Sequence, residues 1–233
     1  MKIALLGYGR MGKEIEKIAI TRGHKIVLKK NNDESIDITT ADVAIDFSIP
    51  SSAFQNISNC LENNIPVVSG TTGWLEKYDE AVDICKSKKG AFIYASNFSV
   101  GVNIFFELNK QLAKMMNNLK DYDISMEEIH HTKKLDAPSG TAITLAEGII
   151  DNTLKQNWEL DEKTSEENIP IKAIRTPDVP GTHSIFYSSE VDSIEIKHTA
   201  NNRKGFALGA IIAAEWLIGK NGVFTMKDVL NIS

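Results

Sequence analysis

The sequence predicts an α/β protein: a Rossmann-like, doubly wound parallel sheet at the N-terminus, then a second α+β domain built on a mixed sheet. Three observations predict it. Short apolar runs alternate with helical periodicity over about the first hundred residues. A Gly7-x-Gly9-x-x-Gly12 pattern falls at the first strand-to-helix turn. After Asn97 strand-like runs cluster instead of alternating with helices.

Lys2–Leu6 is a continuous apolar run, as a parallel strand covered on both faces requires. Met11, Ile15, Ile18 and Ala19 follow at helical spacing. His24–Leu28 reads as a second strand and Asp42–Phe47 as a third. Ser48 can cap the next helix, with Pro50 in its first turn. Pro66–Ser69 and Ala91–Ala95 are further strands, with helical patterns over Ser51–Asn63 and Trp74–Lys88. Beyond Asn97, Val100, Ile104, Phe105, Leu108, Leu112, Met115, Met116 and Leu119 are expected to mark one face of a long helix. Asp123–His131 alternates as a strand with Ile124, Met126, Glu128 and His130 on one side. Ser139 opens another helix, Asn157–Asn168 reads as a polar loop, and strands are expected at Ile169–Ile174, His183–Tyr187 and Val191–His198. Phe206 to Leu217 returns to helix. The expected division is residues 1–98 plus 207–233 as a dinucleotide-binding domain and 99–206 as a second, substrate-binding domain, with a hinge near Asn97 and Arg203.

Composition narrows the function. With 233 residues, of which 42% are hydrophobic and 24% charged, the chain is an ordinary soluble globular protein of one large domain or two modest ones. A net charge of -5 argues against a general nucleic-acid binder. No segment has the form of a signal peptide or a membrane span, and Cys60 and Cys85 lack metal-type spacing, so a reducing, cytoplasmic setting is expected.

Gly7 allows a tight turn, Gly9 lets the backbone approach a pyrophosphate, and Gly12 lets the helix pack on the sheet; Tyr8, Arg10 and Met11 complete the turn. The helix end then holds phosphates. The second strand ends in Lys29-Lys30, which suits the 2′-phosphate of NADPH, while Asp33 and Glu34 just beyond suit the ribose of NADH. Gly70, Thr71 and Thr72 follow the fourth strand and Ser96, Asn97 and Phe98 the fifth, at the edge where open sheets bind ligands; the rival reading of the first is an ordinary glycine turn with a Thr cap, and Asn97 is equally a turn residue. In Glu127–Ala142, His130 and His131 end a strand, Lys134 can fold back from the loop, and Ser139-Gly140-Thr141 starts a helix. A histidine moves protons near neutral pH, a lysine supplies a fixed charge, and a helix N-terminus holds a carboxylate. The segment reads as a site for a small dianionic substrate. No Cys or acidic residue is seen at metal-ligand spacing, so no metal is expected. Arg203 either completes the anion pocket or only starts a helix.

Glu128-Ile129-His130-His131-Thr132-Lys133-Lys134-Leu135-Asp136-Ala137-Pro138-Ser139-Gly140-Thr141-Ala142 resembles the signature of the dihydrodipicolinate (4-hydroxy-tetrahydrodipicolinate) reductases. Gly7–Gly12, Asp46-Phe47-Ser48, Gly70-Thr71-Thr72-Gly73, Asn97–Asn103 and His198–Arg203 extend the resemblance over nearly the whole chain. It implies NADPH- or NADH-dependent reduction of a cyclic dicarboxylate in lysine and diaminopimelate biosynthesis, by a homotetramer joined through the sheets of its substrate domains. By position it implies His130 as the acid/base residue and Lys134 as the second catalytic group. His131, Lys134, Gly140 and Thr141 would hold substrate carboxylates. Gly70, Thr71, Thr72 and the backbone of Ser96–Phe98 would border the nicotinamide. The chain departs from the family in a short Lys29–Asp42 segment and in lysine where the second strand commonly ends in an acid. Two rivals are a dehydrogenase of an amino or sugar substrate and a nicotinamide sensor without catalysis; the sensor needs neither His130 nor Lys134.

Overall fold

In the first strand, four successive residues, Ile3 to Leu6, are fully buried, so the strand is covered on both faces. The computed structural model describes residues 1–31, 37–202 and 204–232. Asp33, Glu34 and Arg203 lie outside the described residues. The chain divides into two compact units, Met1–Val100 with Lys204–Ser233, and Gly101–Arg203.

The first unit begins β1 (Lys2–Leu6), α1 (Arg10–Thr21), β2 (Lys25–Lys30), β3 (Val43–Asp46), α2 (Pro50–Glu62), β4 (Val67–Ser69), α3 (Tyr78–Lys88) and β5 (Ala91–Tyr94). The chain continues through α4 (Val100–Met116), β6 (Asp123–His130), α5 (Gly140–Ile150), β7 (Asn157–Leu160), β8 (Asn168–Arg175), β9 (Gly181–Ser188) and β10 (Ser193–Ala200). It returns to the first unit as α6 (Lys204–Leu217), β11 (Gly222–Phe224) and α7 (Met226–Leu230).

The first sheet has the order β11-β5-β4-β3-β1-β2, and every pairing is parallel. Ile15 and Ala19 of α1 and the small apolar face of α6 pack on one side of it, against Ile3, Leu5 and Ile45. Ala53 and Ile57 of α2 and Ala81 and Cys85 of α3 pack on the other, against Ala4, Leu6 and Phe92. Strand order reverses at β1, whose neighbours are β2 and β3, and such a reversal opens a ligand crevice beyond the strands' C-terminal ends.

The second sheet, β10-β9-β6-β8-β7, is mixed: β9 runs antiparallel to β6 and β10, while β8 runs parallel to β6 and β7. Its core lies on one face, where Ile124, Met126, Ile171, Ile185 and Tyr187 meet Phe105 and Ala113 of α4 and Leu145 and Ile149 of α5.

Four sequence expectations need correction. Asn157–Leu160 is a strand and not loop: Trp158 packs on the core while Asn157 and Glu159 alternate outward, a pattern too short to stand out from its polar surroundings. The expected single apolar face of α4 is two faces. Phe105 and Met116 are buried with Val102, Asn109 and Ala113, while Ile104, Leu108, Met115 and Leu119 are exposed. Asn109 sits mid-face because its amide donates to the Leu145 carbonyl (2.9 Å), so a polar residue occupies a core position. Ser48 does not cap α2; Ile49 holds that position, and the Ser48 hydroxyl turns to Asp46. Finally β2 runs through Lys29 and Lys30 instead of stopping at Leu28.

Candidate active site

In the first unit the fingerprint turn has a role for each glycine. Gly7 has φ +95, and a Cβ there would meet the Phe47 carbonyl oxygen at 2.1 Å. A Cβ on Gly12 would meet the Gly7 oxygen at 2.4 Å, so helix and turn touch. A Cβ on Gly9 would meet nothing within 4 Å, which leaves that side open to a ligand. Gly9 is also the N-cap of α1 and supplies no side-chain acceptor, so the helix's first N–H groups are available to an anion. These features fit a dinucleotide pyrophosphate.

Two cavities run along this edge. One, of ≈ 490 Å³, is lined by Gly7, Tyr8, Gly9, Lys30, Asn31, Phe47, Ser48, Ile49, Ser52 and Asn56. The other, of ≈ 340 Å³, is lined by Gly9, Arg10, Met11, Phe47, Ser48, Pro50, Gly70, Thr71 and Thr72. Of the two lysines, Lys30 lines the larger cavity and donates to Asn56 Oδ1 (2.9 Å). Lys29 pairs with Glu16 (2.6 Å) and lies over the Tyr8 ring, so its charge is already partnered. Ser96, Asn97 and Phe98 line neither cavity. Asn97 Oδ1 accepts the Ser99 N–H (2.8 Å), as in a turn, and Phe98 is buried against Phe47.

Beneath both cavities lies Asp46, fully buried at the end of β3. Its carboxylate accepts from Ser48 Oγ (2.7 Å), Asn56 Nδ2 (3.0 Å), Ser69 Oγ (2.9 Å) and Thr71 Oγ1 (2.7 Å). Burial pushes its pKa above the usual carboxylate range, against those four bonds. The carboxylate thus ties β3, β4, α2 and the Thr71 turn into one edge.

In the second unit the candidate residues gather at the C-terminal end of β6. Glu128 and His130 share its buried face. Strand register sets His183 of β9 opposite Glu128 and Arg175 of β8 opposite His130. Glu128 Oε1 accepts from Arg175 Nη2 (3.0 Å), and Glu128 Oε2 accepts from the Ser139 N–H (3.0 Å). His130 Nδ1 lies 3.5 Å from Glu128 Oε2. Ser139 caps α5 by accepting the Ala142 N–H (3.2 Å) and shares a hydrogen bond with His183 Nε2 (3.2 Å). Burial opposes ionisation of Glu128, but the contacts with His130 and Ser139 outweigh it and hold its pKa at about 2. Burial and the nearby His130 drive His183 down to about 3, so it is neutral at ordinary pH.

Lys134 pairs with Asp136 (2.8 Å), and Arg175 Nη2 also donates to the Asp136 carbonyl (2.7 Å), linking that loop to the buried cluster. His131 follows the strand, half-buried, and its carbonyl accepts the Lys134 N–H (3.0 Å). Gly140 and Thr141 open α5, where their N–H groups have no intrahelical acceptor, and a Cβ on Gly140 would meet nothing within 4 Å. That helix end fits a carboxylate.

No metal-ligand spacing stands in the sequence, yet the fold brings ligand-type atoms together. Glu128, His130 and His183 offer ligand-type atoms all within 4.8 Å of one another. Two strands bring them together, so sequence spacing cannot show it. Both oxygens of Glu128 already accept hydrogen bonds, one from a guanidinium, so the group reads as a hydrogen-bond cluster.

Comparison with known proteins now decides the family. The model "Dihydrodipicolinate reductase, N-terminus" matches residues 23–98, and "Dihydrodipicolinate reductase, C-terminus" matches residues 101–230. The chain belongs to the dihydrodipicolinate reductase family. It is 59% identical to the 4-hydroxy-tetrahydrodipicolinate reductase of Christiangramia forsetii, over 99% of this chain and 98% of that one. It is 38% identical to the reductase of that name from Thermosipho africanus, over 99% and 98%. A dipicolinate-bound dihydrodipicolinate reductase from Paenisporosarcina sp. TG-14 superposes with a TM-score of 0.77, at 25% identity, over 97% of both chains. Members of this oxidoreductase family with a Rossmann-like unit use a nicotinamide cofactor. Sequence reasoning passed over Asp46, Glu128, Arg175 and His183 as members of the candidate site. The signal for Glu128 was present, since it stands two residues before His130 on one strand face.

Proposed function

We propose that the chain reduces 4-hydroxy-tetrahydrodipicolinate to tetrahydrodipicolinate, with loss of water, in lysine and diaminopimelate biosynthesis. The observation that carries the reading is the pairing of an anion-holding helix end, α5, with a buried histidine and a loop lysine on the residues of the family signature. A nicotinamide cofactor, when bound, would supply the hydride for ring C4. Gly7–Gly12 and the first turn of α1 hold its pyrophosphate, and Gly70, Thr71 and Thr72 with Ser96–Phe98 border its ring. Gly140 and Thr141, with His131 and Lys134, hold the substrate's carboxylates and align the reacting atoms. His130 gives a proton as charge builds on the conjugated imine, and Lys134 is the second proton donor and a fixed counter-charge.

For the cofactor, Lys30 supports preference for NADPH, because its ammonium lines the larger cavity while Lys29 is held by Glu16. A homotetramer is supported by the second sheet's outer face, where Glu127, Ile129, Ile174, Glu195 and Lys197 lie outside the hydrophobic core. Among the described residues no helix is long and apolar enough to cross a membrane. Free, buried Cys60 and Cys85 fit a reducing cytoplasm. The test is oxidation of NADPH and NADH in the presence of the condensation product of pyruvate and aspartate semialdehyde, generated in situ. Substrate-dependent oxidation is expected, faster with NADPH; no turnover with either cofactor overturns the reading.

A further inference from the structure

We propose that Glu128 is a positioning residue of the reaction: it fixes which ring nitrogen of His130 is offered to the substrate, and it locks that histidine to the helix end that holds the carboxylate. The inference rests on the reading of His130 as the proton donor.

The geometry carries it. Glu128 is fully buried, and His130 is 7% exposed. Among the described residues, His130 Nδ1 is buried with no hydrogen-bond partner at normal bonding distance, and a buried ring nitrogen left so is costly. Glu128 Oε2 faces it at 3.5 Å. An ionised carboxylate only accepts, so the nitrogen facing it carries a proton, which leaves Nε2 as the working atom: it takes a proton from solvent and passes that proton to the substrate while Nδ1 keeps its own. Such contacts are commonly long in a free enzyme and shorten in the loaded one.

The other edge of the ring is also defined. A Cβ on Gly181 would lie 3.1 Å from Nε2 and 3.3 Å from Cδ2, so this glycine leaves the clearance that the ring needs. His183, the histidine beside it, is neutral and bonded to Ser139, so it does not compete for the carboxylate's charge. Through Ser139 N the same carboxylate touches the first turn of α5, and through Arg175 it reaches the loop that carries Lys134. Carboxylates that orient a working histidine by its second nitrogen are a general device in catalysis.

Replacing Glu128 by Gln keeps the shape and removes the charge. In the full enzyme Glu128→Gln should lower kcat on the order of 10- to 100-fold while the KM for the cofactor stays within about threefold. The double variant with His130→Ala should be no slower than His130→Ala alone. Retention of kcat within about threefold, or losses that multiply in the double variant, would overturn the inference. Should Glu128→Gln not fold, the unsubstituted protein still decides. Two-bond proton–nitrogen correlation spectra should show the neutral His130 ring protonated at Nδ1, and a proton at Nε2 instead would overturn it. Full activity of His130→Ala would sink the underlying reading of the proton donor, whereas an inactive His130→Ala with an unimpaired Glu128→Gln sinks the positioning role alone.

Discussion

Asp46 and Glu128 are both fully buried carboxylates at or near the end of a strand, one in each unit, yet their surroundings drive them in opposite directions. Among the described residues Asp46 accepts side-chain hydrogen bonds from neutral donors alone: two serines, a threonine and an asparagine amide. Burial prevails there and raises its pKa. Glu128 is met by a guanidinium, a backbone N–H and a histidine; burial opposes its ionisation there too, but the contacts with His130 and Ser139 outweigh it and pull its pKa down to about 2. The difference separates two uses of a buried acid. Asp46 is a hub that knits a crevice edge from hydroxyls and an amide, while Glu128 is a fixed negative charge kept beside the ring of His130.

The largest effect should fall on the charged side of this contrast. Lys134→Ala is expected to lower turnover on the order of 10²-fold or more; steady-state kinetics with a loss below about threefold would demote it to a surface lysine. Next is acid stability. The pKa of Glu128 falls from an ordinary 4.5 to about 2, worth about 3 kcal/mol of stability that is present above pH 4.5 and lost as pH falls toward 2. His183, lowered from 6.5 to about 3, acts in the same sense: below pH 6.5 the unfolded chain binds a proton that the folded one refuses until about pH 3. Asp46 has the opposite sign, since a raised carboxylate gives stability that is present in acid and lost as pH rises through its folded pKa. Hydrogen exchange, corrected for intrinsic rates, should show the amides of β6 and β9 losing protection at acid pH before those of β3 and β4; simultaneous loss would erase the contrast.

Smaller effects sharpen the neutral side. Asp46→Asn offers one acceptor oxygen where four donors converge, and should cost about 1–3 kcal/mol, read by denaturant titration of the first unit's exchange-protected amides. A loss well below that would mean the hydroxyls re-pair without the acid. Lys30→Ala should raise the KM for NADPH about tenfold more than that for NADH, as loss of a charge-assisted contact of roughly 1.5 kcal/mol implies, whereas Lys29→Ala should change both alike. The reverse pattern would show that Glu16 releases Lys29 to the cofactor.

Much of the fold could be read from the chain because parallel strands covered on both faces leave unbroken apolar runs, as at Ile3–Leu6, and the glycine turn marks where the first one ends. What escaped was short or disguised. β11 offers only Gly222, Val223 and Phe224 to read, β7 sets only Trp158 against the core, and Asn109 interrupts the buried face of α4. The candidate site was legible in its residue types but not in all its members. His130 and Glu128 alternate onto one strand face, which sequence can show. Arg175 and His183 join them only through the register of β8 and β9, which no local pattern encodes. Lys29 and Lys30 are adjacent on β2, so composition alone could not say which one lines the cavity.

The central claim is hydride delivery to the ring of a cyclic dicarboxylate by this reductase. It is tested most directly with NADPH carrying deuterium at the transferable position of the nicotinamide and the in situ condensation product as acceptor, the reaction product being read by NMR. The account predicts tetrahydrodipicolinate with one deuterium at ring C4, formed with the unsubstituted enzyme and strongly reduced with His130→Ala. Product without deuterium at C4, or no product while the cofactor is intact and bound, would contradict it.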